Sequence, residues 1–224
     1  MTPAGVMAGL RARKARATGA GRVDVRARDP DFRGLLGEAA WARLPAAVQA
    51  RFAAGAHAAP CVYAGRMSAR ASWLGALFAH ACRLIGTPLA PWVGEDVPVG
   101  VTVSAAPAGG VTWARSYRFE GRGPVAVSSR KLMSRTGGLL EVVRGGLGMR
   151  LVVSEEAGAL VFRSRGYVLQ IGAWILPLPG LLTPGQAWVE HRDLGGGDFR
   201  FSLRFVHHLA GETIFQSGVF HDPE

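Results

Sequence analysis

From Pro98 onward the chain is a near-continuous succession of short runs rich in Val, Ile, Phe, Tyr, Trp and Thr, and this pattern limits the fold more than any other feature. The runs read VPVGVTVSA, VTWARSYRFEG, PVAVSSRKLM, LLEVVR, MRLVVSE, ALVFRSRGYVL, QAWVEHRD, FRFSLRFVHH and ETIFQSGVFH. With the earlier CVYAGRMS (61–68) they make nine or ten strands. Turn signals separate them, at Gly137–Gly138, Gly145–Gly146, Ala157–Gly158 and Gly195 to Gly197. A parallel strand pair needs a long crossover, usually a helix, and none lies between these runs. The expectation is a mainly β, α+β fold: an antiparallel meander forming a barrel or a strongly curved sheet. Alternation is clearest where Phe199, Phe201, Leu203 and Phe205 share one face and Arg200, Ser202 and Arg204 the other, giving one core face and one wet face.

Two helical stretches precede or interrupt the first strands. Between Phe32 and Ala54, Leu35, Leu36, Ala39, Ala40, Leu44, Val48 and Phe52 recur at near-helical spacing, and Pro45 is placed to begin a second helical piece. After Ser72, a good N-cap, the segment WLGALFAHACRLIG puts Trp73, Leu74, Leu77, Phe78, Ala81, Leu84 and Ile85 on one face, which predicts that this face packs on the sheet. His80 in this helix reads as a surface or half-buried residue. Residues 1–29 lack a sustained apolar stripe and read as a basic flexible tail ending at Asp29–Pro30, with residues 30–224 forming one β-rich domain.

Charge and composition narrow the function classes. The formal net charge is +10, but residues 1–30 hold seven basic and two acidic side chains, so half the excess sits in that segment. Neither a basic helix nor an aromatic RNA-binding signature accompanies the charge, and no nucleic-acid partner is expected. The most apolar stretch, Ile171 to Leu182, is broken by Gly172, Pro177, Pro179 and Gly180, so no transmembrane segment is expected. The N-terminus sets its short apolar stretch before its basic cluster, the reverse of a secretory leader, and a cytoplasmic location is the default. Cys61 and Cys82 match no metal or redox spacing and read as two reduced, packed thiols, with neither metal nor cofactor implied.

Three constellations could carry function. Arg115 with Tyr117, and Arg165 with Tyr167, repeat an Arg-x-Tyr spacing that places each pair on one strand face, with Arg163 on the face of the second pair. Turned inward, an Arg fork and a Tyr hydroxyl in an apolar hollow would bind a carboxylate or phosphate, so an apolar or acidic small molecule is the leading partner. Turned outward, the same residues form a solvated cationic strip. His191 and Asp193 also share a strand face, with His207, His208 and Glu212 on the following segments; they could form an oriented general base, with Glu212 or His207 nearby in the enzymatic alternative, and the same His/Asp/His/Glu set could ligate a metal. Neither reading is specific, and strand-borne His-x-Asp pairs are common as structural hydrogen bonds, which is the favoured reading. Finally, Ile175 to Leu182, with prolines at 177 and 179, reads as an apolar loop unfit for a central strand, able to cap a cavity, meet a partner, rest on a membrane or fold onto its own core. The glycines at 145, 146 and 148 lack the strand-then-helix setting of a phosphate loop, and Glu141, Glu155, Glu156 and Glu190 show no glycosidase-like pairing.

Several unusual strings occur in one order: Gly65-Arg66-Met67, RLIGTPL (83–89), Trp113 with Arg115, Tyr117 and Phe119, GGLGMRL (145–151), FRSRGY (162–167), LPLP (176–179), HRDLGGGDFRFSL (191–203) and GETIFQSGVFHDP (211–223). In this the chain resembles a bacterial domain-of-unknown-function family, number 4166, over roughly residues 32–223. The resemblance implies a domain often fused downstream of reductase-like domains, and hence a reductase-like protein as a possible partner. It supplies no catalytic residues. The rival readings therefore stay open: a binding module with an anionic head-group site, an enzyme or reductase accessory using His191 and Asp193, and a structural or docking domain.

Overall fold

The computed structural model describes residues 28–83, 89–134, 138–171 and 174–223. Eleven strands form one antiparallel sheet: β1 (Cys61–Ala71), β2 (Gly94–Ala105), β3 (Val111–Tyr117), β4 (Val125–Met133), β5 (Leu139–Val143), β6 (Leu147–Glu156), β7 (Ala159–Ile171), β8 (Trp174–Leu178), β9 (Gln186–Gly195), β10 (Asp198–His207) and β11 (Gly211–His221). The strand order is β6-β5-β4-β3-β2-β1-β11-β10-β9-β7-β8, and an additional β6–β7 pairing joins the sheet to itself. Ten strands thus close a barrel. β8 is the extra one, because the first half of β7 pairs with β9 and its last five residues pair with β8.

Helices cover both ends. At one end stand α1 (Phe32–Leu36), α2 (Glu38–Trp41) and α3 (Ala46–Phe52), beside the β6–β7 and β9–β10 turns. Asp31 caps α1 by accepting from the Gly34 amide at 2.9 Å, and Pro45 is the N-cap of α3, so the second helical piece begins where the sequence places it. Phe32, Phe52 and Phe162 meet edge to face or tilted, with centroids 5.3–6.0 Å apart, and plug this end. The other end carries α4 (Trp73–Cys82), the β7–β8 hairpin and a single 3₁₀ turn at Gly180–Leu182. Residues 1–27, to which the basic-tail expectation mostly applies, lie outside the described residues. Arg28 already bridges to Met133, and Asp29 accepts from the Gly110 amide at 2.8 Å.

The fold class is the expected one, an antiparallel β-barrel with small helices mostly in the N-terminal half, and three details within it differ. The sheet has one strand more than nine or ten, because Trp174–Leu178 pairs instead of looping; it lies at the margin of the sheet, where its prolines cost no ladder partner. The helical stretches resolve into four short pieces in place of two. α4 also packs with the opposite face: Gly75, Ala79 and Cys82 are buried, while Trp73 and Leu77 stand exposed at 79% and 58%. A Cβ on Gly75 would fall 1.9 Å from the Thr213 carbonyl oxygen, so only a small-residue face can approach β11 this closely. Leu84 and Ile85 lie outside the described residues.

Candidate functional site

Inside the barrel, on the α4 side, lies a cavity of about 80 Å³. Val143, Leu147, Met149, Val189, Leu203 and Phe205 make most of its wall apolar, and Cys82, Leu89 and Pro184 close it from the α4 end. Its polar wall comes from three neighbouring strands: Arg115 on β3, Ser129 on β4 and Glu141 on β5. Strand register brings them together, since Trp113 pairs with Ser129 and Lys131 with Glu141, and alternate residues point inward. Ser129 Oγ donates to Glu141 Oε1 at 2.6 Å, and Lys131 Nζ lies 3.2 Å from the same oxygen. Lys131 also sits 4.9 Å from the centre of the Trp113 ring.

The guanidinium of Arg115 is poorly matched. Among the described residues its one hydrogen bond runs to Ser129 Oγ at 3.5 Å, and its other polar-face contact is with the Phe201 ring, 5.8 Å away. The guanidinium has five donors and bonds best to a planar pair of acceptors. The buried Trp113 Nε1 also lacks an acceptor. Two cations and one carboxylate therefore share this interior, with donors in excess.

The titrations follow from that setting. Burial pushes the Lys131 ammonium below its ordinary value, and nearby Arg115 adds to the effect against the pull of Glu141. Burial pushes Glu141 up, but Lys131, Arg115 and the hydrogen bonds from Ser129 and Lys131 outweigh it and hold the carboxyl below the usual range. A second anion in the cavity would favour the charged form of Lys131.

The five residues singled out for anion binding are split. Arg115 and Tyr167 line the cavity. Tyr167 is buried and donates to the Gly185 carbonyl at 2.6 Å, which commits its hydroxyl to the strand-to-turn connection. Tyr117 is fully inside but away from the cavity wall, with its hydroxyl 3.3 Å from Gln216 Oε1. Arg163 and Arg165 point outward. Arg163 makes a bidentate pair with Glu156, with Nη2 to Oε2 at 2.7 Å. The shared face for Arg163, Arg165 and Tyr167 is corrected by an irregularity in the ladder: Met149 pairs with Tyr167 but Leu151 with Ser164, so β7 carries an extra residue at Gly166, where φ is +134°. The parity of the strand reverses there.

The His191 group assembles differently from a catalytic triad. His191 is 4% exposed, stacked on Phe199 at 4.4 Å and edge-on to Phe52 at 5.0 Å. Burial, with the charge of Arg51, depresses its imidazole to about 3, which leaves it neutral at physiological pH. Arg51, from α3, reaches Asp193 at 3.1 Å and Asp222 at 2.7 and 2.6 Å, with Nη1 3.5 Å from His191 Nε2. Glu212 is exposed at the start of β11, the far end of the strand from Asp222, and His207 is buried near that same far end. His191 and Asp193 thus converge on Arg51 and not with Glu212. This group ties α3 to the barrel. Among the described residues no cluster of three His, Cys, Asp or Glu side chains has a metal-holding arrangement.

Sequence reasoning did not group Ser129, Lys131 and Glu141, and weighed Glu141 only for a glycosidase-like pairing. The available signal was parity: Lys131 and Ser129 fall in phase with Val127, on the face of PVAVSSRKLM that points to the core.

The family model described as Domain of unknown function (DUF4166) matches residues 44–220, and the chain belongs to that family. No curated protein matches it.

Proposed function

We propose that this member of the DUF4166 family is a binding module whose barrel accepts a compact apolar molecule bearing one anionic group, held by Arg115. The observation that carries the reading is the Arg115 guanidinium directed into an apolar hollow with one long hydrogen bond. Lys131 stands nearby as a second cation, Ser129 accepts from Arg115 and gives its one proton to Glu141, and Glu141 balances one of the two cations. Tyr167 contributes an aromatic wall; Tyr117, Arg163 and Arg165 stay outside this site.

The size of the cavity sets the size of the guest. About 80 Å³ exceeds the roughly 10–15 Å³ that one water needs, yet falls well short of the ~300 Å³ of a drug-sized pocket. A short-chain carboxylate fits the volume better than a full-length fatty acid.

Native mass spectrometry of the full chain titrated with hexanoate, decanoate and palmitate tests this reading. One-to-one adducts favouring the shorter acids, and absent with the matched alcohols, are expected. An empty protein at every concentration, or equal uptake of acid and alcohol, refutes an anion site in the barrel.

A further inference from the structure

The apolar residues left in solvent are concentrated at one end of the barrel. Of the thirteen large hydrophobic side chains exposed among the described residues, ten belong to the α4 end; Val62, Val152 and Leu194 are the exceptions. Trp73 and Leu77 project from α4, Ile171 and Trp174 face each other across the last rung of the β7–β8 hairpin, and Leu181 and Leu182 form the 3₁₀ turn. Leu209, 75% exposed, tips the β10–β11 turn beside them. Thr213 links the group, because its hydroxyl donates to the Pro184 carbonyl after the 3₁₀ turn while its own carbonyl abuts Gly75 of α4.

Arginines without an acidic partner are more numerous at the same end. Around the α1–α3 end Arg33, Arg43, Arg51, Arg163 and Arg192 each hold an acid, while Arg28, Arg130 and Arg200 hold none among the described residues. Around the α4 end, Arg70, Arg83, Arg144, Arg165 and Arg204 make no salt bridge with any described residue, nor do Arg118 and Arg122 of the β3–β4 connection. Three unpaired acids, Glu95, Glu120 and Glu212, share that rim, so cations exceed anions seven to three.

From this coincidence we infer that the α4 end docks on the surface of an anionic lipid bilayer, with Trp73, Trp174, Leu181 and Leu182 entering the headgroup boundary and the arginines that lack an acidic partner, of which Arg70, Arg122 and Arg204 lie over the Phe215, Trp92 and Trp188 rings, facing acidic headgroups. The apolar side chains come from four separate elements, α4, the β7–β8 hairpin, the 3₁₀ turn and the β10–β11 turn. Tryptophan is favoured at the headgroup level, and each basic residue near an acidic membrane surface adds attraction that salt screens. The inference is independent of what the cavity binds.

The test is co-sedimentation of the full chain with phosphatidylcholine vesicles and with vesicles of equal parts phosphatidylcholine and phosphatidylglycerol. Leu181→Asp/Leu182→Asp and Trp73→Ser/Leu77→Ser variants run alongside; these positions are exposed, so folding is preserved, and circular dichroism checks it. Binding to the acidic vesicles alone is expected, weakened about tenfold or more by either double variant, as for withdrawal of one or two apolar side chains from the boundary. An Arg83→Gln/Arg144→Gln variant should lower the salt sensitivity while preserving the fold. Absence of binding to acidic vesicles overturns the inference. So does binding that all three variants leave unchanged, which would assign the attraction to the basic residues before Arg28. Self-association abolished by the apolar variants, with no vesicle binding, would assign the surface to a second copy of the chain.

Discussion

Removing the carboxylate of Glu141 should destabilise the barrel far more than removing the whole ion pair. Lys131 and Glu141 have side chains 7% and 10% exposed and approach to 3.2 Å. At an effective dielectric constant of about 20 their attraction is roughly 5 kcal/mol, and stranding one buried charge typically costs about 3–5 kcal/mol. Glu141→Gln should therefore cost about 3 kcal/mol, the amide keeping the Ser129 bond but not the charge. Lys131→Met/Glu141→Leu removes both charges, and paired apolar replacements of this kind cost little or stabilise. Urea unfolding followed by tryptophan fluorescence reads the difference. With an m-value of roughly 2 kcal/mol/M the single variant should lower the midpoint by about 1.5 M, and the double variant should recover at least half of that. Equal midpoints for single and double variants would show that Lys131 is neutral without its partner, and would remove the two-cation interior from which the anion site is argued.

His191 titrates at about 3 in the folded chain and near 6.5 when unfolded, so the unfolded chain binds the extra proton between those values. Stability should fall as pH drops through that window, by about 3 kcal/mol between pH 6.5 and 4, and His191→Phe should flatten the slope in a pH series of urea midpoints. Arg51→Met leaves Asp193 and Asp222 without their shared cation. It should cost about 2–4 kcal/mol and raise hydrogen exchange in α3 selectively, a pattern that global unfolding alone would not give. Gly75→Ala must push α4 from β11, because the new methyl meets the Thr213 carbonyl; a melting temperature unchanged within a degree or so would contradict that close approach.

The architecture was legible where one rule acted alone. Alternation of Phe199 to Phe205 with arginines and a serine, preceded by the Gly195 to Gly197 turn, fixes a strand with one core face whatever its neighbours are. It failed where a second constraint intervened. The hydrophobic face of α4 gave the wrong side because backbone proximity at Thr213 selects glycine and alanine over leucine and tryptophan. Arg165 and Tyr167 were separated by one inserted residue at Gly166, which periodicity counts cannot register. Arg115 was found by its in-phase position on β3, whereas its companions Ser129, Lys131 and Glu141 become a group only through the registers of β4 against β3 and β5, which no local pattern encodes. The pairing of His191 with Asp193 was real as a shared face, but Arg51, distant in sequence, decides that they serve an ion-pair network.

A crystal structure of the full chain soaked with a brominated short-chain carboxylate tests the anion site most directly. The bromine should locate in the hollow beneath α4, with the carboxylate oxygens about 3 Å from the Arg115 guanidinium, and the same soak of Arg115→Met should show the hollow without it. Bromine found only on the outer surface, or in the hollow with the carboxylate turned away from Arg115, would contradict the reading.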